Sequence, residues 1–151
     1  VFDTIAGLPI HPLTVHAVVV LLPLMAIATV AVAVRPAWRG YARWVLAGNV
    51  VVLVAAVVAR QSGLALYERI GKLGANELAE THAAYGKVLP LFALFLVAAA
   101  AVLVLLKDRP QLATLGIVVA VVAALLAIGW TVVTGDSGAR AVWQDLVTNT
   151  N

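Results

Sequence analysis

Four long apolar runs dominate the chain, at about residues 13–34, 41–59, 82–106 and 112–134, and almost all of the charge lies between them. A bilayer with a hydrocarbon core of about 30 Å is crossed by roughly 20 apolar residues at 1.5 Å rise each. All four runs qualify. A water-soluble domain of 151 residues would need a largely polar surface, yet only 11% of these residues are charged and 64% are hydrophobic. The expected fold is therefore an all-α integral membrane four-helix bundle, forming a single transmembrane domain over residues 1–151. The first run lacks a basic leading segment and is too long for the core of a signal peptide, so it reads as a retained helix.

Local chemistry marks the ends. Pro12 suits the first turn of a helix, and Arg35-Pro36 closes the first span. Asn76 can cap the third helix, whose first turn then carries Glu77 and Glu80 at the positive end of the helix dipole. Pro23 and Pro90 fall inside spans one and three, where each frees a backbone carbonyl and favours a kink. The many Ala, Val and Gly residues let helices approach closely. In the longer second connection, Leu64, Leu66, Tyr67 and Ile70 alternate with Glu68, Arg69 and Lys72. That pattern predicts a short helix lying on the membrane surface. Asp136 or Ser137 could cap a similar helix in the tail, with Ala139, Val142, Trp143 and Leu146 as its apolar side. An even number of spans puts both termini and the long connection on one face.

The cations divide evenly between the two faces: Arg35, Arg39, Arg43, Lys107 and Arg109 in the short connections, and Arg60, Arg69, Lys72, Lys87 and Arg140 on the other face. The first group is packed into two very short loops, which places those loops in the cytoplasm and the termini outside it. Trp38, Tyr41 and Trp44 would anchor the cytoplasmic interface. A net charge of +3 spread over several loops forms no basic stripe, so nucleic acid is not an expected partner.

There are no cysteines, which excludes disulfides, thiolate zinc sites and iron–sulfur clusters. The chain's three histidines, His11, His16 and His82, all fall toward the face that carries the termini. One reading is a b-type haem held by His16 and His82, with Gly86 leaving room for the macrocycle and Arg60 and Arg140 pairing with its propionates. A second is a zinc or copper site made of His11, His16, His82 and Asp136. His11 and His16 are five residues apart, about 140° around an ideal helix, so His11 could join only from outside the helix. The third reading takes the histidines as interfacial side chains hydrogen-bonded to backbone or water. Asn49, deep in span two, reads as an interhelical hydrogen bond. No nucleophile–base arrangement, phosphate loop or helical zinc motif is present, so no independent catalytic activity is expected.

At His11-Pro12-Leu13-Thr14-Val15-His16, followed by Leu21-Leu22-Pro23, the chain resembles a family of bacterial membrane proteins known as domain of unknown function 2231. The resemblance continues through Ser62-Gly63, His82, Gly86 and the stretch from Gly135 to Trp143, covering nearly the whole chain. It implies a four-helix protein of the bacterial cytoplasmic membrane, similar in outline to cytochrome-b-like bundles. Many relatives have a histidine where this chain has Asp136, so a ligand at that position elsewhere would be missing here. Two classes of function remain open. One is haem-b electron transfer, with quinone or a respiratory assembly as partner; the other is a non-catalytic scaffold or accessory subunit that binds membrane-complex subunits or further copies of itself. A transporter is less favoured, because four spans leave little room for a pore.

Overall fold

The computed structural model describes residues 4–5, 8–71 and 77–148. Four helices make up nearly all of it: α1 (Ile10–Val34), α2 (Ala42–Gly71), α3 (Glu77–Leu106) and α4 (Ala113–Thr148). Two 3-10 turns, Pro36–Tyr41 and Pro110–Leu112, each begin at a proline and join α1 to α2 and α3 to α4. Ahead of α1, Thr4–Ile5 (β1) pairs antiparallel with Leu8–Pro9 (β2). Each helix is long and apolar enough to cross a membrane.

Hydrocarbon gives helices no hydrophobic reason to associate, so close packing and internal hydrogen bonds must hold them. The core is built accordingly from small side chains. Ala26, Ala56, Ala93, Ala99 and Ala127 are buried with Val18, Leu22 and Leu96 at the centre of the bundle. Large apolar residues face outward, among them Val20, Ile27, Val51, Val54, Leu125 and Val132. The polar residues Thr29, Asn49, Ser62, Thr131, Thr134 and Ser137 are buried. Apolar outside with polar inside is the arrangement that lipid favours and water does not.

The two surface helices expected in the second connection and the tail are not separate elements. The first is the final stretch of α2, which runs unbroken to Gly71, and the second is the final stretch of α4. Once a helix is nucleated, each added residue gains a hydrogen bond, and no proline interrupts either stretch. At 1.5 Å per residue, α4 with its 36 residues is about 54 Å long, well beyond the hydrocarbon core. Asp136 and Ser137 accordingly sit inside α4 and cap nothing; Ser137 Oγ donates to the Thr134 carbonyl one turn back (2.8 Å). The α3 start agrees with the acidic first turn of Glu77 and Glu80. Asn76 and Lys72 lie outside the described residues, as do the side chains of Ile70 and Leu146.

Asn49 forms the interhelical bond expected of it. Its Nδ2 donates to Thr29 Oγ1 of α1 (3.0 Å) and to the Val45 carbonyl (2.9 Å), tying the hairpin together two turns from its short connection. A double-mutant cycle of Thr29→Val and Asn49→Ala, followed by unfolding in mixed micelles, should give a coupling of about 0.6–1.5 kcal/mol. Strictly additive effects would show that the pair does not join the helices.

Candidate functional site

His11 lies in the first turn of α1, and its Nδ1 is 3.0 Å from the carbonyl oxygen of Ala59 on α2. His82 lies in the second turn of α3, and its Nδ1 is 3.1 Å from both the Thr134 carbonyl and Ser137 Oγ on α4. A carbonyl can only accept, so in each ring Nδ1 carries the hydrogen and Nε2 presents a lone pair. The two rings meet edge to face across the bundle, with centroids 6.2 Å apart and planes at 62°.

The two halves of this pair are built alike. In each, a serine three residues and a glycine four residues after the accepting carbonyl complete the seat: Ser62 and Gly63 after Ala59, Ser137 and Gly138 after Thr134. Ser137 Oγ donates to the accepting Thr134 carbonyl (2.8 Å), whereas Ser62 Oγ donates chiefly to the Val58 carbonyl (2.8 Å) and lies 3.1 Å from that of Ala59. Each glycine lets an imidazole lie against the helix. A Cβ at Gly63 would come within 2.7 Å of His11 Cε1, and one at Gly138 within 2.9 Å of His82 Cε1. These are the only two serines in the chain, and both belong to a Ser-Gly pair. That repetition was the sequence signal for the site.

Both rings line a cavity of about 660 Å³ among the four helices, within the range of about 300–1,000 Å³ typical of small-molecule and cofactor sites. Its walls are mostly apolar, and Arg60 and Lys87 supply cations. Gly86 and Gly135 also line it, with open space where a side chain would start. Because Pro23 and Pro90 have no N–H, the carbonyls of Val19 and Gly86 lose their helical donor. Both residues line the cavity. The apolar residues once expected to rest on the membrane surface, Leu64, Leu66, Tyr67 and Val142, line it too.

The structure therefore pairs His82 with His11, where the sequence reading paired it with His16. Only one of two positions about 140° apart can face the bundle axis, and α1 turns His11 inward. His16 is exposed at the cavity edge, with Nδ1 on the Pro12 carbonyl. The four-residue metal set is not assembled: among the described residues, no three His, Cys, Asp or Glu side chains come together as a metal shell. Asp136 instead pairs with Arg140 on the exposed side of α4 (2.7 Å), so Arg140 stands outside the cavity that Arg60 reaches. Trp130 of α4 donates from Nε1 to the Tyr85 carbonyl (3.1 Å) and stacks on Phe92, a clamp between α3 and α4 that the histidine-centred reading passed over.

The sequence profile of a family described as "Predicted membrane protein (DUF2231)" matches residues 7–151. The chain belongs to that family. No curated protein matches it, and no solved structure does. The matched segment includes both histidine seats.

Gly63→Ala and Gly138→Ala should each displace the imidazole behind them, at about 1–3 kcal/mol of overpacking. Imidazole ¹⁵N shifts provide the measurement. Wild-type His11 and His82 should both appear as Nδ1–H tautomers, with Gly63→Ala disturbing His11 and Gly138→Ala disturbing His82. If neither resonance moved, the glycine seats would not position the rings.

Proposed function

We propose that the cavity binds a b-type haem between His11 and His82 and that the protein serves membrane electron transfer. The observation that carries this reading is the pair of imidazoles on opposite helices, each fixed through Nδ1–H to a backbone carbonyl and leaving Nε2 as a donor atom. Metal-binding histidines characteristically fix the second ring nitrogen in this way. The spacing of the two rings on one cavity would let both imidazoles reach a single group bound there. The observed separation is 6.2 Å.

The donor set also discriminates between metals. A structural zinc site takes four protein ligands and a catalytic one three. Two imidazoles alone suit a metal whose remaining ligands arrive with a macrocycle. Open space beside Gly86 and Gly135 suits a flat group, and the cations of Arg60 and Lys87 suit its carboxylates. Bound haem would supply one-electron chemistry; the residues of this chain orient it, tune imidazole basicity through the two carbonyls, and surround it with apolar walls. The dense cations of the short connections support a location in the bacterial cytoplasmic membrane with the histidine face outside the cytoplasm.

Protein purified with adequate haem supply should show a Soret band and a reduced α-band. Both should be lost in His11→Ala and in His82→Ala, and kept in His16→Ala. A colourless wild-type protein would overturn the proposal, and loss of the bands only in His16→Ala would overturn the ligand assignment.

A further inference from the structure

At the opposite end of the bundle the same four helices close around a small cleft. Its apolar walls include Val32, Leu103 and Gly116, and its two charged side chains are Arg39 and Lys107. Arg39 is half-buried at the rim. Arg35 and Arg109 belong to the same two connections and Arg43 to the first turn of α2, whereas Asp108 is the one acid among them and holds Lys107 only through an exposed pair at 3.6 Å. An exposed pair of that kind contributes little and leaves the cation available.

The height of this cleft relative to the lipid follows from its neighbours. Tyr41 and Trp44 are exposed on the outer surface, Trp44 by 76%, and Trp38 lies under the Arg35 guanidinium at 4.4 Å. Exposed Tyr and Trp at a helix end mark the headgroup level. Leu105 and Leu115, exposed by 75% and 53%, stand on α3 and α4 beside the cleft and offer apolar surface to acyl chains. We infer that Arg39 and Lys107, at the mouth of this cleft, bind the phosphate of an acidic phospholipid whose acyl chains lie along the outer faces of α3 and α4. Clustered cations between membrane helices, next to apolar surface at headgroup depth, are complementary to that ligand and to no neutral lipid. The inference is independent of what the histidine cavity holds.

Native mass spectrometry of the detergent-solubilised protein provides the test. Phosphatidylglycerol or cardiolipin should remain bound at collision energies that strip phosphatidylcholine. Arg39→Gln/Lys107→Gln should lower acidic-lipid affinity by roughly tenfold or more, and the single charge reversal Lys107→Glu, at the half-exposed one of the two cations, should weaken it as well. Arg60→Gln/Lys87→Gln, at the other end of the bundle, should leave it unchanged. Inorganic phosphate at millimolar concentration should not displace the lipid, because it lacks the acyl contacts. Equal retention of phosphatidylcholine, unchanged binding in both cleft variants, or displacement by inorganic phosphate would each overturn the assignment.

Discussion

Hydrocarbon offers no hydrogen bond, and the architecture follows from that constraint. Every backbone amide in a span must find a partner within the protein, which makes the spans helices, and every polar side chain in a span must turn toward another helix. The inward placement of Thr29, Asn49, Ser62, Thr131, Thr134 and Ser137 is the visible result. Small core residues then serve two purposes. They let backbones approach closely enough to pack, and they let side-chain donors reach carbonyls on the neighbouring helix.

The histidine seats exploit that closeness. An imidazole can reach across to Ala59 or Thr134 only where the facing helix has no side chain in the way, and Gly63 and Gly138 provide the clearance. The Thr134 carbonyl also takes the Ser137 hydroxyl, which uses its second lone pair, while the Ser62 hydroxyl is shared between the Val58 and Ala59 carbonyls. The two seats thus impose one tautomer on two rings from different helices. Bringing the rings to 6.2 Å is then a matter of bundle diameter.

The existence and number of the helices were legible from the lengths of the apolar runs, and the acidic start of α3 and the Asn49 bond were legible from single residues. Two features were not. The continuation of α2 was read as a separate surface helix because its apolar residues alternate with Glu68, Arg69 and Lys72, and that of α4 because Gly135-Asp136-Ser137-Gly138 has the composition of a turn, whereas a helix already nucleated carries glycine and serine through. The choice between His11 and His16 was hidden because α1 is apolar on every face, so no periodicity distinguishes its buried side from its lipid side. His11 lies two turns before Val18 and three before Leu22, so those buried positions do point to it, but burial there is a property of the packed bundle.

The direction of the hydrogen bonds has a mechanical consequence. His11 to Ala59 and Asn49 to Thr29 join α1 with α2, while His82 to Thr134 and Trp130 to Tyr85 join α3 with α4. Each hairpin is thereby fastened near its open end as well as at its short loop. Across the boundary between hairpins lie the alanine-rich contacts and the edge-to-face histidines. None of these four bonds crosses that boundary, so each imidazole is held on its carbonyl by its own hairpin, independently of how the two halves pack against each other.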